Sequence, residues 1–436
     1  MRSSKRFFTL ALALIAVISA ALMFSSCSDD SENGTKTLYV YNWGEYISDG
    51  SEGTLDSNRA FELWYEYTYG EKVEVVYSTY SSNEDMYAKL SGGAVNYDII
   101  VPSDYMIERL IANEEGSLLA PLNYDNIPHA KNLSKDFYGA DAKYDYYDEG
   151  SVYSVPYFYG MIGIIYNTEM VDEEDIGSWD LMWNEKYQGN ILQFNNSRDA
   201  LGTAQYKLGI DVNTNDESEW RRALEELKAQ KSIVQGYVMD EIFNKMEGGS
   251  AAISAYYAGD FLTMYENNDS LEFFYPEEGT NLYVDAMCIP KSSRNKELAE
   301  RYIDFMLMVD EDFDEGFLEY MESIGEDFYS PAVANAEYTY YASPNQKVVD
   351  DEGYRATMNE IKDDAFEKMY ALGAVEATYY ENLTPEKLVL INTLWEELKS
   401  DIDVSPTIII ICVAIVGSLA AGAIFFGIRK RYRNKY

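Results

Sequence analysis

Carboxylates stop abruptly near both ends of this chain. The first is Asp29 and the last Asp403, while Arg2, Lys5 and Arg6 precede them and Arg429, Lys430, Arg431, Arg433 and Lys435 follow. Beside each basic end runs an uncharged apolar stretch, Phe7 to Phe24 and Ile408 to Ile428. What folds must therefore be the acidic stretch between, which holds 26 Lys and Arg against 75 Asp and Glu, a formal −49. Of the 436 residues, 47% are hydrophobic and 15% aromatic, enough to bury a core in two domains or one large one. So negative a field repels phosphate backbones and attracts cations, which excludes nucleic acid as a partner. The single histidine, His129, and the lack of a phosphate loop, nucleophile elbow or metal-ligand spacing point to a protein that is not an enzyme and carries no metal or cofactor.

The ends indicate where that domain works. Residues 1–27 have the basic start and apolar run of an export signal, and Ser25-Ser26-Cys27 is similar to a bacterial lipoprotein processing site, with Cys27 the lipidated residue. Residues 28–36 form a polar tether. At the other end, 401–407 form a second tether and 408–428 suffice for one membrane span at ~1.5 Å rise per residue. The basic tail, 429–436, is then cytoplasmic by the positive-inside rule, and the acidic domain lies on the outer face of the cytoplasmic membrane. With Cys412 in the span and Cys288 alone in the domain, no intrachain disulfide is expected.

Within the domain, short apolar runs alternate with helical patterns. Leu38–Tyr41, Val73–Tyr77 and Tyr97–Val101 read as strands, with helices over Asn58–Tyr67 and Asn83–Leu90 between them, a βαβαβ opening and a mainly parallel sheet. A second α/β region begins near Ser154, with helices over Glu219–Gln230 and Asp240–Glu247. A strand at Tyr283–Ile289 and helices over Lys296–Met308, Glu315–Ser323 and Pro385–Lys399 follow. Ligands of α/β sheets sit beyond the carboxyl ends of strands. Three such ends here, Asn42–Tyr46, Tyr77–Tyr80 and Pro102–Tyr105, each combine aromatic and polar residues, which marks a pocket.

These segments, Leu38–Tyr46, Tyr77–Glu84 with Met86–Leu90, and Tyr97–Tyr105, resemble the spermidine/putrescine-binding proteins of bacterial ABC importers. Ser154–Tyr157 and Val284–Pro290 match the places where that family's chain crosses between lobes. The resemblance runs from about Leu38 to Lys399. It implies an α/β, two-lobed, periplasmic-binding-protein-like fold with a hinge and a cleft between lobes. Lobe one would comprise 37–155 and 285–330, and lobe two 156–284 and 331–400. It also implies a polyamine ligand, and importer permease and ATPase subunits as partners.

The family's ligand-binding positions fall here on Trp43, Glu45, Tyr46, Ser103 and Tyr105, then on Asn196, where the family has an acid, and Asp199. Tyr257 and Tyr283 stand where tryptophans are usual, Asp285 keeps the central carboxylate, Tyr329 before Ser330-Pro331 matches a pocket tyrosine, and Glu381 falls where a glutamine is familiar. Aromatic walls suit the alkyl chain and cationic face of a polyamine, and carboxylates suit its ammonium groups. Asp285 is expected where both lobes meet; Asp199 should matter less if its end of the ligand is nearer solvent. The same fold could instead hold another amine, an amino acid, a sugar or a metal complex, or serve a membrane-anchored sensor.

Overall fold

The computed structural model describes residues 34–93, 96–113 and 116–400. The export signal, Cys27 and the apolar stretch 408–428 lie outside them. Among the described residues, no helix is long and apolar enough to cross a membrane.

Ten strands form a continuous sheet system: β1 (Lys36–Trp43), β2 (Val73–Tyr80), β3 (Ile99–Ile100), β4 (Ser154–Asn167), β5 (Ile191–Phe194), β6 (Val234–Val238), β7 (Ile253–Tyr257), β8 (Leu271–Phe274), β9 (Thr280–Cys288) and β10 (Ala377–Tyr379). The order is β2-β1-β3-β9-β4-β7-β5-β6, with β10 on β9 and β8 on β4. The expected opening is present: β1 pairs in parallel with both β2 and β3. The helix Ser57–Tyr69 links β1 to β2. It begins where Asp56 accepts from the Arg59 amide at 2.9 Å and ends at Gly70, whose φ of 71° suits a residue without Cβ. A second parallel set, β7-β5-β6, builds the other lobe.

Two long strands join the lobes. All fourteen residues of β4 and all nine of β9 are buried. The first part of β4, Ser154–Met161, pairs antiparallel with Cys288–Leu282 of β9; its continuation, Ile162–Tyr166, pairs with Tyr257–Ile253 of β7. One strand therefore passes from one lobe's sheet into the other's, and the cleft lies above this crossing. The expected strand at Tyr283–Ile289 extends back to Thr280 because those residues pair with β10. The helix Pro331–Thr339, which a division at 331 assigns to the second lobe, has Asn335 accepting from the Ser48 amide and the Ser57 hydroxyl of the first, each at 2.9 Å.

Candidate cleft between the lobes

The cavity, about 970 Å³ including the part open to solvent, lies beyond the carboxyl ends of β1, β2 and β3 on one side and of β5, β6 and β7 on the other. Strand β9 runs beneath it. Alternation on β9 sends Leu282, Val284 and Ala286 into a hydrophobic core and leaves Asn281, Tyr283 and Asp285 lining the cavity.

On the first-lobe side, Trp43 sits at the end of β1. Its indole donates to the Val101 carbonyl at 2.8 Å, and its ring lies 4.6 Å from Tyr80. Glu45 takes a left-handed φ of 50°, which turns the chain so that Glu45 is exposed at the mouth and Tyr46 is buried behind it. The Tyr46 hydroxyl donates to Asp285 Oδ2 at 2.7 Å. Asn83, at the start of the helix Asn83–Ser91, binds three groups of the neighbouring loop: its Nδ2 donates to Ser103 Oγ at 3.1 Å and to the Tyr105 hydroxyl at 3.2 Å, and its Oδ1 accepts from the Ser103 amide. Tyr105 in turn donates to Glu84 at 3.1 Å.

On the second-lobe side, Asn196 caps the helix Ser197–Lys207, its Oδ1 accepting from the Asp199 amide at 2.8 Å while its Nδ2 donates to Asp199 Oδ2 at 2.6 Å. A carboxylate at 196 could cap the helix but could not donate to Asp199. Tyr257 donates to the same Oδ2 at 2.8 Å and meets Tyr283 edge-on at 5.3 Å. Arg198 is directed elsewhere, donating to Asn213 and the Glu381 carbonyl with its guanidinium 4.5 Å from the Tyr380 ring.

Seven carboxylates line the cavity, Glu45, Glu84, Asp104 and Asp285 from the first lobe and β9, and Asp199, Asp240 and Asp260 from the second. No lysine or arginine is among the described residues around it. Burial raises several of these acids. Asp285 is pushed up to about 6 by desolvation, against the pull of hydrogen bonds from Ser103 and Tyr46. Desolvation likewise raises Asp104 to about 7, although it accepts from Tyr146 at 2.5 Å. Asp260 also rises to about 7, mainly from burial, with Tyr341 donating to it at 3.0 Å and the nearby charges of Asp240 and Glu45 adding to the rise. Asp199 is raised by burial too. Moving a carboxyl from 3.8 to about 6 means that its charged form is disfavoured by about 3 kcal/mol in the empty cleft. A cation with N–H donors is the group that relieves this strain, and ring faces beside it add cation–π attraction.

Ten of the twelve expected residues come together here: Trp43, Glu45, Tyr46, Ser103, Tyr105, Asn196, Asp199, Tyr257, Tyr283 and Asp285. Two do not. Tyr329 does not line the cavity; it packs half-buried against the core, and the tyrosine that lines the cavity is Tyr341, edge-on to Tyr46 at 5.0 Å. Both precede a Ser-Pro pair, Tyr329 directly and Tyr341 after one intervening alanine, so the motif alone does not choose between them. Tyr341 fits because Gly259, just before Asp260, has no Cβ; one there would collide with the ring. Glu381 is exposed and contributes only backbone hydrogen bonds, whereas Tyr380 beside it lines the cavity. Asp199 is as enclosed as Asp285, 7% against 5% exposed, so it is not the solvent-side acid. Asp260 was missed although Tyr257-Ala258-Gly259-Asp260 lies just beyond β7, where the strand-end rule applied to the second lobe would have found it.

The model of the family described as bacterial extracellular solute-binding protein matches residues 61–324. The spermidine/putrescine-binding periplasmic protein of Escherichia coli is 31% identical over 300 residues, 68% of this chain and 79% of the relative. Spermidine/putrescine-binding periplasmic protein 1 of Haemophilus influenzae is 30% identical over 305 residues, 67% of this chain and 79% of the relative. The solved structure of the substrate-binding protein of a spermidine/putrescine ABC transporter from Streptococcus pneumoniae superposes with a TM-score of 0.60 at 29% identity, covering 84% of this chain and 98% of that one. With its two lobes, crossing strands and enclosed interlobe cavity, the chain belongs to the bacterial extracellular solute-binding protein family.

Proposed function

We propose that this protein captures a polyamine such as putrescine or spermidine in the cleft and delivers it to the permease and ATPase of an ABC importer. The observation that carries the reading is the cavity wall itself: among the described residues, seven carboxylates, no lysine or arginine, and aromatic rings on both sides. A di- or polyamine is protonated at neutral pH, much as lysine is, and complements that wall in both charge and shape. Micromolar capture requires about −8 kcal/mol, within reach of a few charge-assisted hydrogen bonds plus aromatic burial after the cost of ordering. The ligands would be Asp285 and Asp199 for ammonium groups, Trp43, Tyr257 and Tyr283 for the alkyl chain, with Tyr341 added to these walls and Tyr329 and Glu381 removed.

We also propose attachment to the outer face of the cytoplasmic membrane through lipid on Cys27 and a span over 408–428. The sequence supports both anchors and gives them one orientation. A single lipid chain binds a bilayer marginally whereas a span is effectively permanent, so removing 405–436 should leave only partial retention. Full release of that truncated protein, with no lipid found on Cys27, rejects the lipid anchor.

Calorimetry on the detergent-solubilised full chain with putrescine, spermidine, arginine and a neutral sugar tests the ligand. Heat from the amines and none from the sugar is expected; no heat from any amine at millimolar concentration rejects the reading.

A further inference from the structure

Just beyond β10, residues 379–382 are held by both lobes at once. Hydrogen bonds tie them to the second lobe. Asn213 Nδ2 donates to the Tyr379 carbonyl at 2.8 Å, and Asn213 Oδ1 accepts from the Glu381 amide at 2.9 Å. Arg198 donates to the Glu381 carbonyl at 3.3 Å, and the Tyr380 hydroxyl donates to the Arg198 carbonyl at 3.4 Å. Gly202 makes that seat possible, since a Cβ there would collide with the Tyr380 hydroxyl.

The contacts with the first lobe differ in kind. The Tyr379 ring stacks on Tyr146, and the Tyr380 ring meets Tyr105 edge-on at 6.3 Å. The directional contact is a hydrogen bond: Glu108, on the helix Asp104–Ile111, accepts from the Asn382 amide at 2.7 Å. Glu108 is half-buried and is not among the residues that line the cavity. Its charge goes instead to a backbone amide of the opposite lobe, just past Tyr380, which does line the cavity.

We propose that Glu108 is a positioning residue for capture: through the Asn382 amide it latches the second lobe's Tyr380 against the first lobe's Tyr105 and slows ligand release. The inference rests on the amine-capture reading and adds to it a residue that no ligand touches. A charge-assisted hydrogen bond is roughly twice as strong as a neutral one. When the lobes part, the carboxylate and the amide each return to water, so the bond favours the closed arrangement over the open one. A bond of that kind raises the affinity of any ligand the closed cleft encloses, whatever the ligand's length.

Calorimetry and release rates on the detergent-solubilised full chain, with putrescine and spermidine, test this in the parent, Glu108→Ala and Glu108→Gln. Alanine suits a helix interior, so the fold should survive that change. Loss of a charged hydrogen bond predicts that Glu108→Ala weakens both amines by the same factor, about tenfold or more, through faster release. Glu108→Gln keeps an acceptor for the Asn382 amide and should recover part of the loss. Glu108→Ala should leave the melting temperature of the empty protein unchanged and lower that of the amine-bound protein. Unchanged affinity overturns the latch, and so does a glutamine variant no better than the alanine one. An equal fall in melting temperature with and without amine overturns it too, because the bond would then belong to the fold at all times. Unequal losses for the two amines would make Glu108 a ligand contact, which is also contrary to it. All of these leave amine capture standing. No binding of either amine by the parent overturns the capture reading itself, and the latch with it.

Discussion

The two walls of the cleft each hold a deeply buried aspartate, yet they are not equivalent. Asp285 Oδ2 accepts from Tyr46 and the Ser103 hydroxyl also pulls on the carboxylate, while Oδ1 makes no close hydrogen bond. Asp199 already accepts from both Asn196 and Tyr257, and it stands in the first turn of a helix, where the backbone dipole stabilises a negative charge. Similar burial therefore conceals different availability. Two donors share Oδ2 of Asp199, one from its own lobe's helix cap and one from β7, so more of its charge is compensated within its lobe than is the case for Asp285. The difference also explains why Asn196 is tolerated where an acid is familiar: on this wall the amide organises Asp199 rather than competing with it.

The largest expected effect breaks the comparison at its strong side. Asp285→Asn keeps the shape and removes the charge that an ammonium would meet in a desolvated site, so amine affinity should fall by ~2–5 kcal/mol by calorimetry. If the folded variant binds every amine as tightly as the parent, the floor of the cleft is not the ligand site.

Next comes pH, through the carboxylates raised to about 6 and about 7. Amines pair with the ionised form, so binding releases protons in this range, and affinity should fall by up to about tenfold per pH unit per coupled group as pH drops from 7 towards 5. Stability of the empty protein runs the opposite way. A folded-state value raised above the unfolded one means that the native state binds more protons between about pH 4 and 7, so these groups lose stability for the fold as pH rises through that window. Melting temperatures with and without spermidine across pH 5–8 should therefore diverge as pH rises. Parallel curves contradict the assignment.

A smaller loss, about 1 kcal/mol, is expected from Asp199→Asn, because that carboxylate has less left to offer a ligand. A loss equal to that of Asp285→Asn would erase the distinction between the walls. The smallest effect belongs to Tyr329→Phe. Its ring lies outside the cavity, so affinity should stay within about 0.5 kcal/mol of the parent, whereas Tyr341→Phe frees Asp260 from its hydrogen bond and should be felt.

Much of this was legible from residues alone. Apolar runs marked β1, β2 and β3, and of the clusters at their ends Trp43–Tyr46, Tyr80 and Ser103–Tyr105 do line the cleft. Periodicity found the helices with one wet face, such as Glu217–Lys231. It could not find the helix Ser197–Lys207, where nine of eleven residues are buried and no polar face remains to mark a period. The length of β4 was equally hidden, since its two parts are defined by partners more than eighty residues away, in β7 and β9.

The sequence by itself determined that the domain is α/β, strongly acidic and built around polar strand ends, because local pattern and composition carry that information within a few residues. Which tyrosine fills the cleft was decided only in three dimensions. Tyr329 and Tyr341 have nearly the same neighbours in sequence, and the choice depends on Gly259, Asp260 and Tyr46, brought together by packing across both lobes. The different hydrogen bonding of Asp199 and Asp285 was decided there too. Availability of a carboxylate depends on who else is bonded to it, and those partners, Tyr257 for one and Tyr46 for the other, are set by tertiary contact rather than by neighbouring residues.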